Sequence, residues 1–131
     1  MTFAVQSPIR RLPVTLLMDG ALERIDAARG YSWDREPQET HRLRQSAVII
    51  IGELRAGLDL DRGSAIAANV AELYDYMCRR LKTADPENGP AALHEVSHLL
   101  DALRSAWAFM PIELRTVSSD MERGDRNRRM S

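Results

Sequence analysis

The chain has 131 residues, 44% of them apolar and 28% charged, a length and balance that fit one globular domain able to bury a sizeable core. Its formal net charge of −1 excludes attraction of the whole molecule to nucleic acid or to anionic lipid. Its one cysteine, Cys78, excludes an intrachain disulfide and a thiolate metal cluster.

The first predicted helix follows an irregular N-terminal segment, residues 1–12, which lacks the apolar stretch of a signal peptide. Pro13 suits the first turn of a helix, and Gly30 is a plausible stop. Between them, apolar residues recur at helical spacing. These residues are Val14, Leu17, Ala21, Leu22 and Ile25.

A second helix is predicted after a loop at residues 31–38 that carries Trp33 and Pro37. It begins near Glu39 or Thr40. Its core-facing side consists of Leu43, Ala47, Ile50, Leu54 and Leu58.

The apolar surface of this second helix is wider than one core stripe requires. Val48, Ile49 and Ile51 extend it around the helix. Such a wide arc is either buried on two sides or is a docking surface for another molecule, including a second copy of the chain.

A third helix is predicted after a turn at residues 59–63, with Ser64 as its N-cap. Tyr74 lies beside the apolar side of this helix and is expected to be a core aromatic residue, whereas Tyr76 faces elsewhere. The apolar side consists of Ile66, Val70, Leu73, Met77 and Leu81.

A fourth helix is predicted between the Asn88-Gly89-Pro90 break and Pro111. The arginine-rich tail, residues 111–131, is expected to be loose. The apolar side of the helix consists of Leu93, Val96, Leu100, Leu103 and Trp107.

Together these elements predict an all-α, antiparallel up-and-down four-helix bundle at residues 13–110, within one domain at residues 1–131. The low aromatic content, 5%, agrees with packed helices. The longest apolar run, residues 47–51, is too short to cross a bilayer, so no membrane insertion and a cytoplasmic location are expected.

The segment His94-Glu95-Val96-Ser97-His98 spells HExxH, the helical zinc-protease signature. Hydrolytic zinc needs a third protein ligand, and His41 is the one histidine left to supply an imidazole. We therefore interpret the motif as a surface coincidence that can bind metal adventitiously, and keep a zinc hydrolase as a minor alternative.

The chain resembles the FliS family of flagellar export chaperones. The similarity is carried by Leu58-Asp59-Leu60-Asp61-Arg62-Gly63-Ser64 continuing to Asn69, and above all by Leu73-Tyr74-Asp75-Tyr76-Met77-Cys78-Arg79-Arg80-Leu81. Asp19-Gly20-Ala21-Leu22 is similar to the family's first-helix motif, although Met18 stands where the family usually has tyrosine.

The resemblance implies a binding protein and not an enzyme, with no cofactor, no metal and no catalytic residue. Its expected client is the disordered C-terminal segment of flagellin. The chaperone is expected to keep flagellin from polymerising and to deliver it to a membrane protein of the export gate. No nucleic acid is expected as a partner. A bundle that dimerises without client, or serves another client, is the alternative.

The residues predicted to contact a client combine this resemblance with the apolar arc of the second helix. For Asn69 and Arg80, a structural role within the bundle remains open. The predicted set is Leu17, Met18, Val48, Ile51, Arg55, Asn69, Tyr76 and Arg80.

Overall fold

The computed structural model describes residues 13–58 and 65–108, and all regular structure within these ranges is helical. This confirms the all-α prediction. The predicted Ser64 cap, the Pro111 stop and the terminal segments lie outside the described residues. The helices are α1 (Val14–Arg29), α2 (Pro37–Ala56), α3 (Ala65–Lys82) and α4 (Gly89–Ala108).

Proline and glycine set both ends of α1 and of α2. The carbonyl of Pro13 accepts the first helical hydrogen bonds of α1, and the N–H of Gly30 bonds back to Ala27 at its end. Pro37 occupies the first turn of α2, where its missing N–H costs nothing, so this helix begins two residues before Glu39. The N–H of Gly57 closes α2 in the same way.

The helices form an antiparallel bundle in which each packs on its neighbour in the chain and α4 returns to α1. Arg24 of α1 donates to Ser46 of α2, and Arg44 of α2 donates to the carbonyl of Leu81 in α3. Neighbours joined by short loops must run in opposite directions. The α1–α2 pair is the most closely packed, and the α3–α4 pair is the least.

In the first part of α3, the buried residues lie one position further along the chain than the predicted apolar residues. Ala67, Ala71 and Tyr74 are buried, whereas Ile66 is 38% exposed. Val70 and Leu73 are half-buried, so three of the five predicted residues are not central to the core. Small alanine side chains allow α3 to approach its neighbours closely, while the larger residues lie at the edge of the contact.

The core side of α2 is also wider than predicted. Ile51 is fully buried together with the expected stripe, and Val48 is half-buried against the core. Ile49 alone of the three additional apolar residues is exposed, at 58%. The wide arc of α2 is therefore mostly core, and only Ile49 extends onto the free surface.

Trp33, in the loop between α1 and α2, lies over the start of α4. Its ring occupies the space that a Cβ at Gly89 would need, so glycine is required at this position. The guanidinium of Arg44 lies over the same Trp33 ring, 4.7 Å from the ring centroid. Partial burial lowers the pKa of Arg44.

Among the described residues, ion pairs join three of the four helix–helix seams. Arg55 of α2 binds Asp75 of α3 at 2.7 Å, and Arg104 of α4 binds Asp19 of α1. Each side chain of these two pairs remains more than 40% exposed, so the pairs contribute little stability and mainly favour one register. The third pair is described below with the site.

Two surface properties follow from the described helices. None of them combines the length and apolarity that crossing a membrane would require. Lys82, the only lysine in the sequence, is exposed in the last turn of α3.

Candidate functional site

An open depression of about 740 Å³ lies on the outer face of α3. Its described lining comes from positions spaced three or four residues apart, which share one face of a helix. The lining is amphipathic, with a half-buried leucine and a tyrosine among charged side chains. The residues are Asn69, Glu72, Leu73, Asp75, Tyr76 and Arg79.

The carboxylate of Glu95, on α4, accepts hydrogen bonds from two side chains of α3 at the edge of this depression. The hydroxyl of Tyr76 donates to Glu95 Oε2 at 2.7 Å, and Arg80 Nε donates to Glu95 Oε1 at 2.7 Å. The hydrogen bond from Tyr76 and that from Arg80 lower the pKa of Glu95. The same bond to Glu95 raises the pKa of Tyr76. Glu95 therefore stays ionised and orients two side chains of α3.

Two further contacts orient the polar groups of the depression. The guanidinium of Arg79 lies 5.9 Å from the centroid of the Tyr76 ring, within range of a cation–π contact. Asp75 is held by Arg55 of α2, whose Nε donates to Asp75 Oδ1 at 2.7 Å. The depression thus presents an aromatic ring, a leucine, an amide and charges of both signs.

Four of the eight predicted client-contact residues come together here. Asn69 and Tyr76 line the depression. Arg55 and Arg80 lie at its edge, through their bonds to Asp75 and Glu95. Their contact with a client stays a prediction.

The other four predicted residues lie elsewhere in the bundle. Leu17 is 6% exposed, and Met18 and Ile51 are fully buried. Val48 is half-buried near the α2–α3 seam, where the Cys78 thiol faces its carbonyl at 3.9 Å. In the described arrangement these side chains contribute to the core, and a client could reach the three buried ones only if neighbouring groups moved.

The predicted client-contact set lacks five residues of this surface, namely Glu72, Leu73, Asp75, Arg79 and Glu95. The apolar spacing places Leu73 on the core side of α3, although its i−4 and i+3 neighbours, Asn69 and Tyr76, both lie on the outer face. Glu72 completes the same helical face, so the spacing alone could have identified it. In the sequence Glu95 stands out only as part of HExxH, because its hydrogen-bond partners, Tyr76 and Arg80, lie on another helix.

Within HExxH, Glu95 points away from the two histidines. Glu95 faces α3, whereas His94 lies next to Arg29 of α1, with Nη2 3.2 Å from His94 Nδ1. His98 is exposed one turn further along α4. Within residues 13–58 and 65–108, no three His, Cys, Asp or Glu side chains are grouped so as to hold a metal ion. The described motif therefore lacks the geometry of a hydrolytic zinc site.

Large exposed apolar side chains in the described ranges are spread over three helices. Leu16 on α1 is 52% exposed, and Ile49 on α2 and Ile66 on α3 are 58% and 38% exposed. Exposed apolar residues that occur singly are normal on a globular surface. The depression on α3 is therefore the better candidate for a binding site than any of these positions alone.

Comparison with known proteins gives consistent matches. A family model described as flagellar protein FliS matches residues 5–113. The chain is 43% identical over 94 residues to the flagellar secretion chaperone FliSB of Pseudomonas aeruginosa, covering 72% of this chain and 75% of that protein. It is 37% identical over 105 residues to the flagellar secretion chaperone FliS of Salmonella typhimurium, covering 79% and 78%. For the FliS of Vibrio cholerae the identity is 33% over 107 residues, covering 81% and 78%.

Proposed function

Because the chain belongs to the FliS family of flagellar proteins, we propose that it is a flagellar secretion chaperone whose client is flagellin. It binds the disordered C-terminal segment of flagellin in the cytoplasm, prevents premature polymerisation, and delivers the subunit to the export apparatus at the membrane. It acts stoichiometrically, without chemistry of its own. The family match is the observation that carries this proposal.

The depression on α3 supports a binding role of this kind. A client segment that is disordered when free must recover its ordering cost by burying apolar area and pairing its polar groups. Leu73 and the Tyr76 ring offer apolar contact, and Asn69 offers an amide for backbone groups. Asp75 and Arg79 offer charges of opposite sign along the same helix. An amphipathic helix or an extended segment suits this lining.

Calorimetric titration with a peptide from the C-terminal segment of the same organism's flagellin tests the proposal. We expect one-to-one binding with a negative change in heat capacity, since apolar surface is buried. A folded protein that gives no heat at any temperature would sink the flagellin proposal.

Variants of α3 test where the client binds. Tyr76→Ala removes the aromatic ring and should weaken binding by about ten-fold or more, as expected for a buried aromatic contact. Glu23→Ala is the matched control, because Glu23 is exposed on α1, which is diagonal to α3 in the bundle. If both variants lost the same affinity for the peptide, or if neither lost any, the client contact would lie elsewhere.

A homodimer in the absence of client remains the alternative arrangement. Ile49, on the outer face of α2, is the exposed apolar residue that could anchor it. Light scattering of the free protein should then give the mass of two chains, and Ile49→Asp should return it to one. A dimer mass that persists in Ile49→Asp would exclude this face as the contact.

A further inference from the structure

We propose that His94 and His98 form a two-imidazole site for a divalent transition-metal ion, with Cu²⁺ and Ni²⁺ preferred over Zn²⁺. Both side chains are exposed on α4, one helical turn apart. They lie on a different side of α4 from Glu95, which faces α3. The site is therefore separate from the depression on α3 and does not depend on the proposed function.

The two rings are already close enough to share one ion. Their centroids are 4.4 Å apart and their planes are inclined at 50°. Because the rings are tilted and not stacked face to face, small side-chain rotations bring one nitrogen of each ring to a common point. Histidines at i and i+4 are a recognised pair of metal ligands on a helix.

The ring separation favours a particular coordination angle. A metal–nitrogen distance of about 2.0–2.1 Å places each ring centroid roughly 3.2 Å from the ion. If the centroids keep their separation of 4.4 Å when the nitrogens converge, they subtend roughly 90° at the ion. This is the angle between adjacent positions in square-planar or octahedral geometry, which Cu²⁺ and Ni²⁺ adopt, and it is narrower than the tetrahedral angle that Zn²⁺ prefers.

The donor set gives the same order of preference. Neutral imidazole suits Cu²⁺, Ni²⁺ and Zn²⁺, and affinities for such nitrogen ligands are greatest for Cu²⁺. With two protein ligands, the remaining coordination positions go to water. Glu95 is bound by Tyr76 and Arg80, so it is not placed to act as a base on such a water. The site binds a metal and does not make the protein a hydrolase.

Arg29 opposes metal binding at this site. Its Nη2 lies 3.2 Å from His94 Nδ1, and a guanidinium can only donate in this contact. Nδ1 is then the acceptor, and the ring proton is on Nε2, the nitrogen that faces away from Arg29. When a metal binds Nε2, the proton must move to Nδ1 and the Arg29 contact is lost. Asp26, 3.5 Å from Arg29, can hold the released guanidinium.

Titration of the untagged full chain with Ni²⁺, followed by calorimetry, tests the site. We expect one ion per chain, and His94→Ala and His98→Ala should each weaken binding by about ten-fold or more, since either change leaves a single ligand. His41→Ala is the matched control, because His41 is exposed on α2 and has no second imidazole beside it in the described structure. It should bind Ni²⁺ as the unmodified chain does.

Two results would overturn the proposal. One is Ni²⁺ affinity in the unmodified chain no higher than in the single-histidine variants, whose helical folding is checked by circular dichroism. The other is an equal loss in His41→Ala. Arg29→Ala provides an independent measure, since removing the competing donor should raise Ni²⁺ affinity by about two-fold or more. A fall in affinity in Arg29→Ala would contradict the assigned geometry.

Discussion

At the residue scale, Glu95 connects two helices through a single ionised carboxylate. It accepts hydrogen bonds from Tyr76 and Arg80, and these bonds lower its pKa in the folded protein. A lowered pKa in the folded state stabilises the protein above the ordinary pKa of glutamate, and this stabilisation is lost as the pH falls through the folded value.

The Glu95→Gln variant tests this linkage. Its unfolding free energy should be lower than that of the unmodified chain at neutral pH, and the difference should shrink below about pH 4.3, the ordinary pKa of glutamate. Urea denaturation at a series of pH values measures both quantities. Glu87→Gln, in the exposed loop before α4, should show no such difference. A gap between Glu95→Gln and the unmodified chain that widens in acid would contradict the assignment.

Replacing glycine by alanine is expected to have opposite effects on the unfolding free energy at two positions. Gly89→Ala places a methyl group where the Trp33 ring lies, so the ring must leave its contact with Arg44, at a cost of about 1–3 kcal/mol. Gly52→Ala meets open space inside α2, four residues before its end, and should stabilise the protein by roughly 0.5–1 kcal/mol. Urea denaturation gives both values, and tryptophan fluorescence reports whether Trp33 has moved. Destabilisation by Gly52→Ala would show that α2 is not free on that side.

At the element scale, the sequence predicted the four helices and missed the orientation of one. On α3, two stripes share Met77 and Leu81, and they differ by one residue at each earlier position. Hydrophobicity favours Ile66 and Leu73 over Ala67, but close helix packing selects the smaller residue. The depression was only partly predictable for the same reason: its outer face depends on which stripe is buried, and that is decided by neighbouring helices.

Because the helix pairs of the bundle are not packed equally closely, its helices should differ in their protection from hydrogen exchange. The α3–α4 pair is the least closely packed, and α1–α2 the most. Local opening is easier where fewer apolar contacts must be broken. Hydrogen exchange should therefore be faster in α3 than in α1 and α2. Equal protection across all helices would indicate that the bundle opens only as a whole.

At the scale of the whole molecule, client binding should raise stability by mass action. A client that binds only the folded chain, at a concentration one hundred times its dissociation constant, adds about 2.7 kcal/mol to the unfolding free energy. For a chain of this size that corresponds to a rise in Tm of about 10 °C. A calorimetric scan with and without the flagellin peptide measures this shift. Saturating binding without any shift would mean that the peptide also binds the unfolded chain.

Lys82 makes α3 chemically addressable. It is the only lysine, it is exposed at the end of this helix, and it lies one turn beyond Cys78, whose burial raises the pKa of the thiol. Once the more acidic α-amino group of the N-terminus has been blocked near neutral pH, an amine-reactive dye has a single lysine side chain to modify in the unaltered sequence, while the half-buried thiol reacts slowly. That dye would be on the helix that carries the depression, two turns or less from Tyr76, and its emission would report occupancy in real time without any engineered residue.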